Sequence, residues 1–264
     1  MLPIRKRKSI AQHFLKDKET IEKIADFVVS RIPDKPYILF EIGAGEGTLT
    51  IPLLNKIANL PSEKLPQKVI LNEIDYRYLR KLNQKMQEKL DKTLSNLQIE
   101  IQTIEFQKIS LQYENIYLIG NIPFYITGMV LRKIMENYFR IDSVCLNLQK
   151  EVVDKISKAD NPLGIVFKIG WEIQKGIIIH PSKYDPPPKV FSQIIFLKNL
   201  RNPVYCEKLN KFIFRIFKSK KRILSNVLTD SEKSKIKDMD VLRKRPIELS
   251  IDQIIQLYHV TLNS

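Results

Sequence analysis

The sequence predicts an α/β protein: a parallel sheet carrying an antiparallel edge, followed by a short helical region. Apolar, β-branched runs alternate with helix-spaced apolar residues over about 190 residues, the pattern of strands connected by helices. The first of these runs, Tyr37 to Ile42, leads into Gly43-Ala44-Gly45-Glu46-Gly47 and then Thr48, where a helix is expected to open. Strand, glycine loop and helix form the opening half of a nucleotide-binding βαβ unit. From Arg201 onward the pattern is helical.

The chain has 264 residues, enough for one large domain with a small one beside it. Its formal net charge of +15 favours a polyanionic partner, nucleic acid before membrane. Cys145 and Cys206 lie far apart without a CxxC pattern, so neither a disulfide framework nor a zinc site is expected. A reducing cytoplasm fits, and no metal is expected. No apolar run approaches the roughly 18 residues of a membrane span. A basic stretch, Arg5 to Lys8, precedes Gln12-His13-Phe14-Leu15, with no signal-peptide core after it. It suits phosphate contacts or a solvated tail.

From Lys18, Ile21, Ile24, Ala25, Val28, Val29 and Ile32 fall at helical spacing, and the helix ends before Pro33. The glycine loop after Ile42 has the spacing G-x-G-x-G, so the dinucleotide fingerprint is not met. It is preceded by Glu41 and followed by a second strand, Lys68 to Asp75. A carboxylate at the end of that strand can accept both ribose hydroxyls of an adenosine. Glu73 has the better position, with Asp75 a surface or helix-start residue. The segment between, containing Pro61 and Pro66, reads as an inserted loop. Leu97 to Ile104 is a third strand, ending at Glu105. Val144 to Leu148 is a fifth, followed by a helix from Gln149. Ile165 to Ile173 and Gly176 to Ile179 are strand-like, Pro181 to Val190 is a rigid proline-rich loop, and Ser192 to Leu197 completes the β pattern.

The fourth strand, Ile116 to Gly120, runs into Asn121-Ile122-Pro123-Phe124. The Asn121 side-chain carbonyl can accept from an amino group. Pro123 stiffens the turn and leaves its own carbonyl as a second acceptor. Phe124 offers a flat face for stacking a base. Together they suit holding a planar exocyclic amine against an electrophile; a rigid strand-to-loop turn is the other reading. In the helical region Leu209, Phe212, Ile213, Ile216 and Phe217 make an apolar face, while Lys208, Lys211, Arg215, Lys218 and Arg222 are expected on another face of the same helix. Tyr205 to Arg245 holds 13 Lys and Arg against 5 Asp and Glu, a net +8 and over half of the chain's net charge. That excess favours a phosphate-binding surface over a merely solvated one. Ser250 to Gln253 reads as a capping box for a last helix with Ile254, Ile255 and Tyr258 apolar.

These residues resemble the small-subunit ribosomal RNA adenine N6-dimethyltransferase family nearly from end to end. The resemblance rests on Gln12 to Leu15, Glu41 to Thr50, Glu73 to Asp75, Asn121 to Phe124, Leu148 to Val152, Pro186 to Ser192 and Arg245 to Ser250, in the family's order. Asn121 to Phe124 is the Asn-Ile/Leu-Pro-Phe/Tyr signature of enzymes that methylate the N6 amine of adenine. The resemblance implies a Rossmann-like S-adenosyl-L-methionine-dependent methyltransferase domain over residues 1–199 and a helical RNA-binding domain over 200–264. It implies dimethylation of two adjacent adenines near the 3′ end of small-subunit rRNA, by a cytoplasmic monomer acting on a pre-ribosomal particle.

Carried over residue by residue, the resemblance places His13, Leu15, Gly43 and Gly45 at the S-adenosyl-L-methionine site, with Glu73 on its ribose and Glu105 near its adenine. Asn121, with Pro123, stands where the methionine end meets the target amine. Phe124 is one stacking face and Tyr184 the other. Lys211, Arg215, Lys218 and Arg222 are expected on RNA phosphates. The chain departs from the family at His13, where Asn is commoner, at Phe124, where Tyr is commoner, and at Ile104-Glu105, where Gly-Asp is expected. Two other readings remain: a 23S rRNA adenine methyltransferase of the macrolide-resistance type, and an assembly or transcription factor acting by nucleic-acid binding. Arg245 to Ser250 and the three-proline loop favour the small-subunit reading.

Overall fold

A computed structural model of the chain describes residues 13–219 and 221–262. The basic stretch Arg5 to Lys8 and Gln12 lie outside the described residues, as does Lys220. The chain divides into two compact units, Met1–Lys150 with Gln174–Phe196, and Glu151–Ile173 with Leu197–Ser264. The second unit therefore draws on residues before position 199 as well as after it.

In the first unit a two-residue strand β1 (Phe14–Leu15) leads into α1 (Lys18–Val29). Asp17 caps α1 by accepting from the Thr20 N–H, and the helix buries Ile21, Ile24, Ala25 and Val28, the face expected from their spacing. Then follow β2 (Ile38–Ile42), α2 (Thr50–Ala58), β3 (Lys68–Asn72), α3 (Tyr76–Lys89), β4 (Ile99–Gln102), β5 (Ile116–Asn121), α4 (Thr127–Glu136) and β6 (Ile141–Gln149). Asp75 is the N-cap of α3, accepting from the Arg77 N–H. After α5 (Lys150–Ile156) and α6 (Pro162–Gly170) come β7 (Trp171–Ile179), β8 (Tyr184–Asp185) and β9 (Ser192–Asn199). The main sheet has the order β4-β3-β2-β5-β6-β9-β7, and β4 through β6 are parallel. Chain order reverses between β2 and β5, the switch point at which open α/β sheets bind ligands. Buried Leu39, Leu53, Leu54, Ile57, Val69, Tyr117 and Ile119 fill the core on one face. The buried Tyr117 hydroxyl donates to the Val28 carbonyl at 3.1 Å.

Ile165 to Gly170 is not a strand but the body of α6. Asn161 caps it, accepting from the Gly164 N–H, and Pro162 fits its first turn, where no N–H is needed. Ile165, Val166 and Phe167 are all buried, and a helix buried all round shows no period that separates it from a strand.

The second unit ends in α7 (Glu207–Phe217), α8 (Asp230–Ser234), α9 (Met239–Arg243) and α10 (Ile251–Leu262). α7 buries Leu209, Phe212, Ile213, Ile216 and Phe217, the expected apolar face. It stops there, with Lys218 as its C-cap, because no apolar residue before Ile223 continues the buried stripe. Arg222 therefore lies beyond the helix, its N–H donating to the Ser219 carbonyl. The capping box of α10 is present: the Ser250 N–H donates to Gln253 Oε1 and the Gln253 N–H to Ser250 Oγ. Among the described residues no helix is long and apolar enough to cross a membrane.

Candidate active site

The carboxyl ends of β2, β3 and β5 converge on one site. After Ile42 the chain turns through Gly43 and Gly45, whose φ angles of +69° and +56° suit residues without a Cβ. The Gly43 and Ala44 N–H groups both donate to the Asn72 carbonyl at the end of β3. The next residue, Glu73, is buried, and its carboxylate accepts from the Gly45 N–H at 2.9 Å and the Asp75 N–H at 2.8 Å. Glu73 thus braces the glycine loop while lining the site.

Two recesses share Gly43, Glu73 and Pro123 as walls. The smaller, of about 70 Å³, is also lined by His13, Leu15, Glu41, Gly45 and Asn121. The larger, of about 320 Å³, is also lined by Ile74, Glu105, Phe106, Tyr125 and Met129. The Glu105 carboxylate accepts from Gln107 Nε2 at 3.0 Å and pairs with Lys108. Glu41 is 2% exposed, and Thr50 Oγ1 donates to its Oε2 at 2.7 Å. Burial pushes its carboxyl up to about 7, and the nearby Glu73 charge pushes the same way against the Thr50 hydrogen bond.

His13 is held over the smaller recess by β1, which pairs with β8 in the register Phe14↔Asp185 and Leu15↔Tyr184. Its Nδ1 donates to the Pro186 carbonyl at 2.6 Å, since a carbonyl can only accept. The Lys16 N–H donates to the Lys183 carbonyl, and Lys183 Nζ pairs with Asp17 at 2.8 Å. The His13 ring lies 6.0 Å from that of the half-buried Phe124.

Both acceptors expected in the central motif are present, and each already holds one partner. Asn147 Nδ2 donates to Asn121 Oδ1 at 2.7 Å, and the Ile126 N–H donates to the Pro123 carbonyl at 3.1 Å. A carbonyl oxygen has two lone pairs, so one remains at each. Ile122, 2% exposed, anchors the turn in the core.

Tyr184 departs from expectation. It is 1% exposed, belongs to the core, and its hydroxyl bonds Asn147 and Ser192, so it presents no face to a base. Lys211, Arg215, Lys218 and Arg222 belong to the second unit and line neither recess. Lys211 pairs with Glu207 at 2.6 Å, and Arg215 pairs with Glu232 through both ends of its guanidinium. Sequence reasoning missed Ile74 and Phe106 as lining residues, although each adjoins an assigned carboxylate at a strand end. It also missed Asn147, whose signal was a polar side chain inside an apolar strand.

The model of the ribosomal RNA adenine dimethylase family matches residues 4–261. The chain belongs to the ribosomal RNA adenine dimethylase family. Ribosomal RNA small subunit methyltransferase A of Thermotoga neapolitana is 31% identical over 263 residues, covering 97% of this chain and 92% of that one. The protein of the same name from Mycoplasmopsis synoviae is 29% identical, covering 96% and 95%. Among solved structures, a dimethyladenosine transferase from Plasmodium falciparum superposes with a TM-score of 0.73 at 21% identity, over 93% of this chain and 96% of that one. The 23S rRNA methyltransferase ErmE gives 0.67, also at 21%, over 94% and 98%. These two likenesses establish the Rossmann-like α/β fold. The dimethylase family is one of S-adenosyl-L-methionine-dependent methyltransferases, and the site's chemistry fits that cofactor. A buried carboxylate at the end of β3 suits ribose hydroxyls, and a glycine loop admits close approach of a ligand.

Proposed function

We propose that this dimethylase methylates the N6 amines of two adjacent adenines near the 3′ end of small-subunit rRNA, within a pre-ribosomal particle, as a cytoplasmic monomer. The observation that carries the reading is Asn121 and Pro123 lining the smaller recess, each with one acceptor lone pair remaining, beside the Phe124 ring.

In this reading Glu73 takes the cofactor ribose, Ile74, Glu105 and Phe106 take its adenine, and His13, Leu15, Gly43 and Gly45 flank its methionine end. When bound, S-adenosyl-L-methionine supplies the electrophilic methyl group. The protein's own task is to make a poor nucleophile usable. The N6 lone pair is delocalised into the purine ring. Asn121 Oδ1 and the Pro123 carbonyl accept the two N–H groups and favour a more tetrahedral nitrogen, while Phe124 stacks on the base. The amine proton becomes acidic only after methylation, so no side chain need remove it beforehand. Holding nitrogen in line contributes most of the rate. A base-paired adenine cannot reach these groups, so the target is single-stranded or extruded.

Single-turnover methyl transfer to small-subunit rRNA, with the modified adenines mapped by primer extension, tests the reading. Asn121→Ala should lose about 3–4 kcal/mol of transition-state stabilisation, the scale of one preorganised polar group, with rRNA affinity unchanged. Near wild-type turnover would reduce the motif to a rigid turn. Transfer only to large-subunit rRNA would move the assignment to the 23S type.

A further inference from the structure

In the parallel pair β5 and β6, Asn121 stands directly opposite Asn147. Asn147 is 1% exposed, and its Nδ2 uses both hydrogens: one goes to Asn121 Oδ1 at 2.7 Å and one to the Tyr184 hydroxyl at 2.6 Å. The Tyr184 hydroxyl is in turn 2.5 Å from Oγ of the fully buried Ser192. With Asn147 donating, the Tyr184 hydrogen is free to go to Ser192, and the chain has one direction. The other end of the Asn147 amide, Oδ1, is buried with no hydrogen-bond partner among the described residues.

A buried acceptor left unpaired is destabilising, and an apolar side chain of similar volume would leave none. What Asn147 supplies in exchange is orientation. A carboxamide has two placements related by a half-turn, and they differ in whether oxygen or nitrogen faces the neighbour. A donor at Asn147 Nδ2 attracts the oxygen of Asn121 and repels its N–H groups. The flipped Asn121 would oppose N–H to the N–H of an incoming amine.

We propose that Asn147, anchored by Tyr184 and Ser192, is a positioning residue that holds the Asn121 carboxamide with its oxygen, rather than its nitrogen, serving as acceptor for the target amine. The inference rests on the assignment of Asn121 as that acceptor.

Asn147→Leu removes the donor and the orphaned oxygen together while keeping the same branched skeleton. It should unfold at the same temperature as the parent or higher, bind S-adenosyl-L-methionine and rRNA unchanged, and transfer methyl groups about 10- to 100-fold more slowly in single turnover at saturation. Asn147→Asp, which puts acceptors on both sides of the chain, should lose at least as much. Tyr184→Phe, which removes one hydroxyl from beneath Asn147, should lose a few-fold and serves if the Leu variant disturbs the fold. In an Asn121→Ala background Asn147→Leu should cost nothing further, as expected for residues acting as one unit. Loss in Asn121→Ala with wild-type transfer in Asn147→Leu, or losses that multiply in the double variant, overturns the positioning role alone. Wild-type transfer by Asn121→Ala overturns the acceptor assignment and the positioning role with it.

Discussion

Glu41 ends up as a buried carboxyl beside a buried carboxylate, because it precedes the glycine loop on a strand whose every residue is buried. Its carboxyl rises from the ordinary 4.5 to about 7, chiefly through burial. Between those values the folded protein holds a proton that the unfolded chain has released. Stability from this group is therefore full below about pH 4.5 and is lost as pH rises through 7. Glu41→Gln should abolish that loss. Relative to the parent, the variant should gain on the order of 3 kcal/mol between pH 4.5 and pH 8, read from urea unfolding at both. Parallel pH profiles for the two proteins would mean that Glu41 titrates like an exposed carboxyl. The same residue was visible in the sequence as an acidic group before the loop, but nothing there revealed Thr50 as its partner.

Strand ends decide the geometry of the site. At the end of β5, a Cβ on Gly120 would lie 2.6 Å from the Ile42 carbonyl oxygen at the end of β2. Backbone cannot yield as a flexible side chain does, so Gly120→Ala should force the two ends apart. The expected cost is about 1–3 kcal/mol of stability, with weaker S-adenosyl-L-methionine binding, because Gly43 and Asn121 follow directly on the displaced ends. Urea unfolding and titration calorimetry measure both, and parental values in both would show that the ends separate freely. The strands themselves were legible: β2, β3 and β5 are apolar runs closed by glycine or carboxylate. So were α1, α7 and the capping box of α10, whose spacing and caps are local. α6 was not, since an apolar segment buried on all sides has no period. Arg222 was misplaced because a charge stripe does not say where its helix ends. The burial of Tyr184 and the role of Asn147 were invisible for a different reason. They depend on the register between β5 and β6 and on strand pairing with β8, which no local pattern encodes.

Over the whole molecule, Lys and Arg exceed Asp and Glu by 15, a field suited to a phosphate backbone. The basic residues of the second unit differ in their freedom to meet phosphates. Arg215 is bound by Glu232, which also caps α8 through Thr229, so its removal should cost stability before affinity. Replacing Lys211, Lys218 and Arg222 together should lower the log–log salt slope of rRNA binding by about two to three units, near one for each lost phosphate contact. Cofactor affinity should hold. A slope equal to the parent's would mark these three side chains as merely solvated. The pairing of β1 with β8 carries a consequence in time. Translation delivers His13 to Asp17 first, yet the groups that hold this segment, Lys183, Tyr184, Asp185 and Pro186, come some 170 residues later. Between the synthesis of Pro123 and that of Pro186 the nascent chain carries a recess with one wall unsecured. Only when Pro186 has cleared the ribosome can its carbonyl take the His13 hydrogen bond and fix that side of the recess.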